Sequence, residues 1–198
     1  KNKELEEQLY DYLLPYYEQG LDAVIVQDVG VFTFIREHFP GIELHASTQM
    51  TITSIEGARY LTEQGMKRIV LARELTLEEV KEFIRIVNKR AKIMLLCETK
   101  EAKDIMDEVL SLDGIDEVHV GLNDMHLSLG LKFMFQLLAD ETVEMLGEKI
   151  KNSGRAFGFG GIAKLGAGAI PAEMVIAEHY RLGSKVAILS RSFCNTDF

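Results

Sequence analysis

The sequence predicts an α/β protein, a TIM-barrel-like parallel β/α barrel with seven recognisable strands. Three observations carry this reading. Short apolar runs without alternation recur along the chain, the pattern of parallel strands buried on both faces. One helical stretch or more separates each run from the next, and β–α alternation builds a parallel sheet. Polar residues cluster just after nearly every run, at the strand ends where such folds place their chemistry. An open doubly wound sheet is the competing architecture. No G-x-G-x-x-G follows the first strand, which weakens it.

Residues 5–19 form an amphipathic helix, with Leu5, Leu9, Leu13 and Tyr17 at i, i+4 steps and Gly20 as its stop. Residues 23–27 are a β-branched strand ending before Asp28. A helix over 31–38 is closed by Pro40 and Gly41. Residues 43–46 are a short strand followed by Ser47, Thr48 and Gln49. Ser54 caps a helix over 54–64 that ends at Gly65. A strand over 68–72 precedes Thr76, which with Glu79 forms a capping box for a helix running to about Asn88. Residues 93–97 and 118–120 are strands. Between them a helix over 100–112 places Ala102, Ile105, Met106, Val109 and Leu110 at helical spacing. Helices over 132–138 and 142–152, a Gly-rich strand over 157–162, a helix over 171–180 and a strand over 186–189 complete the pattern.

The 198 residues suit one barrel domain spanning 1–198, and 47% hydrophobic composition is enough for a sizeable core. The net charge of −9 argues against nucleic acid or an anionic membrane as partner. No apolar run reaches membrane-spanning length. The two cysteines, Cys97 and Cys194, form no C-x-x-C motif and fit a reducing, cytoplasmic compartment. By strand alternation Cys97 faces the helices as an inert core thiol.

Glu98 and Asp124 are the leading candidates for chemistry. Each follows a buried strand of one β-α-β unit, and two converging carboxylates suit a hard, oxygen-loving divalent ion. The bland alternative is that they cap helices or face solvent. His119 lies two residues before Gly121 and shares its inward face, either beside the ion or as a hydrogen-bonded interior residue. His45 is a candidate base near the barrel mouth. His126 reads as loop surface. Arg73 and Arg191 follow strands and can hold a carboxylate bidentately, or form ordinary salt bridges. The Gly-rich stretch from Gly158 to Gly168 lacks the G-K-[ST] ending of a P-loop and reads as tight loop packing.

The second half, from about Val87 to Asn195, resembles the HpcH/HpaI aldolase/citrate lyase family. The resemblance rests on Glu98-Thr99-Lys100-Glu101-Ala102 and on Gly121-Leu122-Asn123-Asp124-Met125, whose acids stand 26 positions apart. It implies that Glu98 and Asp124 hold a divalent metal, Mg²⁺ or Mn²⁺, and that Gly121 and Leu122 border a bound 2-oxo acid. The first half, about Leu5 to Phe83, resembles the collagenase-like family of unassigned peptidases, whose relatives include RNA-hydroxylation proteins. That resemblance rests on the segment from Gly20 to Asp28, on His45-Ala46-Ser47-Thr48-Gln49-Met50 and on the segment from Val70 to Glu79. That family's cysteine-rich second half is absent here. The seam lies within residues 82–92.

Two functional expectations follow. The first is a divalent-metal-dependent carbon–carbon lyase of the class II 2-oxo acid aldolase type, acting on a pyruvate-like small molecule. His45, Arg73 and His119 are its catalytic candidates, and Gly121, Leu122 and Arg191 border its substrate. The second is a recombined or engineered chimeric barrel scaffold with no or vestigial activity. It is motivated by the seam and by the absence of the aldolase family's early histidine and strand arginine, whose places hold Asp28-Val29-Gly30 and His45-Ala46-Ser47. A first strand before Leu5 and a last helix after Phe198 are the pieces an eight-stranded barrel would still need. The strands at 23–27 and 186–189 then become apolar edges, and a homo-oligomer is expected, or a contracted barrel that pairs them.

Overall fold

The structure, a computed structural model, describes residues 2–71, 73, 75–189 and 193. It divides into two compact units, Lys1–Ile93 and Met94–Phe198.

The first unit contains α1 (Asn2–Glu18), β1 (Ala23–Val26), α2 (Val29–His38), β2 (Glu43–Ala46), α3 (Ile55–Glu63), β3 (Arg68–Val70) and α4 (Leu77–Val87). β1, β2 and β3 are adjacent and parallel, with Val26 opposite Ala46 and Ala46 opposite Ile69. That row is buried, as are Phe32, Ile35, Leu61 and Phe83 of the helices. The opposite face carries Ile25, His45 and Arg68 in register. Two helix starts, at Ser54 and Thr76, follow the caps legible in the sequence, and Asp28 is a third cap. Asp28 accepts from Val31 N, Ser54 accepts from Gly57 N, and Thr76 and Glu79 form a reciprocal capping box.

The unit boundary falls inside β4 (Lys92–Cys97), and the second unit continues with α5 (Lys100–Asp104), α6 (Met106–Leu110), β5 (Glu117–Val120) and α7 (Leu122–Ser128). After these come α8 (Gln136–Ala139), α9 (Thr142–Asn152), β6 (Ala156–Ile162), α10 (Ala172–Leu182) and β7 (Val186–Leu189). β4 to β7 are parallel and lie in sequence order. Cys97, Val120 and Phe159 form one fully buried row across three strands. α9 approaches β6 closely, since a Cβ on Gly147 would lie 2.8 Å from the Phe157 ring. β6 bulges between Phe159 and Ile162, and Gly161 takes φ +99° there, a conformation glycine adopts without strain.

Seven short strands, parallel within each unit and alternating with helices, match the predicted TIM-barrel-like α/β fold. Three local expectations need correction. The helix expected over 100–112 is broken at Ile105 (φ −94°, ψ 10°), so Met106 and Val109 are buried while Ile105 stays 39% exposed. The helix expected over 132–138 is only α8, because the Gln136 side-chain oxygen accepts from Lys132 N and Phe133 N and holds that segment as a turn. His126, expected on a loop, lies in α7, which has Leu122 and Met125 buried one turn apart and also carries Asp124.

Candidate metal centre

Glu98 follows β4 and Gly121 follows β5, where Gly121 N donates to Cys97 O across the strand ends at 3.0 Å. This bond fixes the two strand ends side by side. Glu98 then lies directly over Gly121. A Cβ at Gly121 would sit 2.5 Å from Glu98 Oε1 and 2.6 Å from its Cγ, so a larger residue there would displace this side chain. Gly121 is also the N-cap residue of α7, whose first turn supplies Asp124. Asn123 Nδ2 donates to Asp124 Oδ1 at 3.2 Å. Both acids are partly buried.

Further contacts hold this end of the unit. Thr99 caps α5 by accepting from Ala102 N, and Lys100 N donates to Ser128 Oγ at 2.9 Å, tying the start of α5 to the end of α7. Thr99 was legible as a cap in principle. Ser128 and Asn123 carried no sequence signal, since their roles depend on where α7 begins.

Behind this end lies His119, buried on β5. It is in register with Leu96 and Gly158. Two glycines of β6 make room for its ring. A Cβ at Gly158 would lie 3.0 Å from Nδ1, and one at Gly160 would lie 3.8 Å from Nε2. Nδ1 has no hydrogen-bond partner, so the reading of His119 as a hydrogen-bonded interior residue does not hold for that atom. Burial, reinforced by His179, pushes the His119 imidazole down to about 4. His179, not singled out in the sequence, stacks on Phe159 with centroids 3.5 Å apart and shares a hydrogen bond with Ser184 Oγ at 2.9 Å.

The other candidates are placed as follows. Leu122 is buried, and its Cδ1 lies 3.3 Å from the point a Cβ on Gly161 would occupy. His126 is a helical residue whose Nδ1 faces Leu122 O at 3.3 Å. In the first unit, His45 Nε2 lies 3.3 Å from Glu43 Oε2 with little of its ring exposed, and Arg73 is exposed in the turn after β3. Arg191 and Cys194 lie outside the described residues. Cys97 is buried as expected, and burial pushes its thiol up to about 12.

Two oxygen-only carboxylates, one held over a glycine with no side chain to cover it, suit a hard cation. Magnesium in particular takes one or two protein carboxylates and fills its remaining positions with water or substrate. Among the described residues no cluster of three or more His, Cys, Asp or Glu is placed to hold a metal, so protein side chains would fill only part of such an ion's coordination.

Residues 1–98 match the model of Peptidase family U32. The chain is 48% identical over 65 residues to the 23S rRNA 5-hydroxycytidine C2501 synthase of Escherichia coli (strain K12), covering 33% of this chain and 10% of that protein. It is 30% identical over 89 residues to the hydroxypyruvate/pyruvate aldolase of Roseovarius nubinhibens, covering 44% of this chain and 35% of that protein. The chain thus spans about a third or less of these curated relatives. Among solved structures it is similar to an HpcH/HpaI aldolase from Desulfitobacterium hafniense DCB-2, with TM-score 0.68, 18% identity, and coverage of 91% of this chain and 81% of that one. It is also similar to protein CitE from Mycobacterium tuberculosis in complex with magnesium and acetate, with TM-score 0.57, 12% identity, and coverage of 85% and 75%. The resemblance is therefore in two parts. A U32-like first half is joined to a second half in a chain whose fold neighbours are HpcH/HpaI aldolases. Among the described residues no helix is long and apolar enough to cross a membrane.

Proposed function

We propose that this chain is a carbon–carbon lyase of the 2-oxo acid aldolase type that depends on Mg²⁺ or Mn²⁺. The observation that carries the reading is the Glu98 carboxylate lying over Gly121 at adjacent strand ends, with Asp124 in the helix that Gly121 begins. The partial identity to a hydroxypyruvate/pyruvate aldolase supports it. Glu98 and Asp124 would hold the ion, and a pyruvate-like 2-oxo acid is the proposed small-molecule substrate. The ion supplies Lewis-acid stabilisation of negative charge on a keto oxygen. The protein's own part is to fix Glu98 through the Gly121 N to Cys97 O bond, and to orient Asp124 through Asn123. A reducing, cytoplasmic setting belongs to the same reading, since Cys97 is a free thiol.

The test is retro-aldol turnover and pyruvate–aldehyde condensation, measured with added Mg²⁺ or Mn²⁺ and again after EDTA. Turnover that EDTA removes, that metal restores and that Asp124→Ala abolishes is the expected result. Activity indifferent to EDTA overturns metal dependence. A second reading, a recombined barrel scaffold without catalysis, is favoured by one observation. The stretch where the aldolase base and carboxylate clamp would stand matches the U32 model instead. Absence of turnover with every metal, together with retained Mn²⁺ binding, would favour that reading.

A further inference from the structure

The first unit carries a second candidate site, remote in sequence from Glu98 and Asp124. α1 and α2 pack through aromatic rings. Tyr10 lies 5.1 Å from Phe39 between centroids, Tyr17 meets the same ring edge-on at 5.3 Å, and the Tyr17 hydroxyl donates to Pro40 O at 2.9 Å. Phe39 is buried against both tyrosine rings. Between these helices opens a shallow cleft of about 440 Å³ lined by Glu7, Tyr10, Asp11, Phe34 and His38. Its aromatic walls are set by one another. Phe34 and His38 stack at 4.2 Å, Tyr10 stands nearly perpendicular to His38 at 6.2 Å and 80°, and His38 Nδ1 donates to Phe34 O at 2.9 Å.

The charges at this cleft are one-sided. Glu7 and Asp11 lie four residues apart on α1, and like charges at that spacing repel and weaken a helix. Elsewhere the helices pair such acids with cations one turn away, as in Glu78 with Lys81, Glu82 with Arg85 and Glu178 with Arg181. Among the described residues, no cation pairs with Glu7 or Asp11. A shallow, open surface with aromatic rings and two exposed carboxylates attracts a weakly hydrated organic cation, which gains from the ring quadrupoles and from the acids together. A small metal ion gains nothing from the rings, and an anion is repelled by the acids.

We propose that this cleft binds an alkylammonium group, held over Tyr10 and Phe34 with Glu7 and Asp11 as counter-charges. An exposed site of this kind is weak, with a dissociation constant on the order of tens of millimolar.

The experiment is an NMR titration of the intact chain with choline chloride, and in parallel with 3,3-dimethylbutan-1-ol, which has the same shape without the charge. Saturating shifts at Tyr10, Phe34 and His38 are expected, with the alcohol about tenfold weaker. Glu7→Gln combined with Asp11→Asn should weaken choline about fivefold. Both positions are exposed, so an unchanged circular dichroism spectrum accompanies that loss. Shifts that never saturate, equal binding of the alcohol, or unchanged affinity in the double variant would each overturn the proposal. A third arm uses N-acetyl-trimethyllysine methylamide. Tighter binding than choline identifies a protein-borne alkylammonium as the ligand, and weaker binding identifies a free one.

Discussion

Gly121 is the position where one added methyl group has the largest expected effect on the candidate centre. Its Cβ would fall 2.5 Å from Glu98 Oε1, so Gly121→Ala must push that carboxylate aside. Displacing a group that positions a ligand costs about tenfold or more in metal affinity. Calorimetric titration with Mn²⁺ should show this loss while the circular dichroism spectrum is kept. His119 gives a second expectation, in pH. Its folded-state value is depressed to about 4 from the ordinary 6.5, so the unfolded chain binds more protons between those values. The neutral ring therefore stabilises the fold above about pH 6.5. That contribution, roughly 3 kcal/mol, is lost as pH falls toward 4. Urea unfolding at pH 7, 5.5 and 4.5 should show the decline, and His119→Gln should flatten it. Glu98, Asp124 and His119 could be singled out because strand alternation and position after a strand are visible in a sequence. The orphaned Nδ1 could not, because it depends on which atoms of β6 approach the ring.

At the scale of elements, legibility followed capping chemistry. Ser54 and Thr76 marked the starts of α3 and α4 because each bonds a backbone N–H three residues on, whereas Asp28, read only as the end of a strand, caps α2 in the same way. Where side chains intervened non-locally, pattern alone failed. Gln136 reaches back to two amides and prevents a helix start at 132, and α7 is too short for its period to stand out. The edges add an expectation about assembly. β7 pairs with β6, and its Ala187, Ile188 and Leu189 are exposed, the last two at 53% each. β1 pairs with β2, and its Ile25 is 65% exposed. Apolar strands with an open edge invite pairing with another chain. Light scattering should give a mass above that of the monomer, and Ile188→Lys with Leu189→Lys should lower it. A monomer across the micromolar range would count against self-association.

For the molecule as a whole, the fold class was readable because β–α alternation is a property of every segment and survives errors at individual boundaries. The two-part resemblance was readable because each half carries its own strand-end residues. Asp28 and His45 lie in the U32-like stretch, and Glu98 closes it. Asp124 follows 26 residues later. What each half contributes to chemistry was less legible. A catalytic group is defined by distances to its partners, and the sequence holds only separations along the chain.

Cys97 has a use unrelated to catalysis. Its thiol is buried, held protonated and immediately precedes Glu98. It can be alkylated only in molecules where β4 has parted from its neighbours. The strand that presents Glu98 therefore contains its own clock: the rate at which Cys97 is trapped reports how often that carboxylate loses its seat.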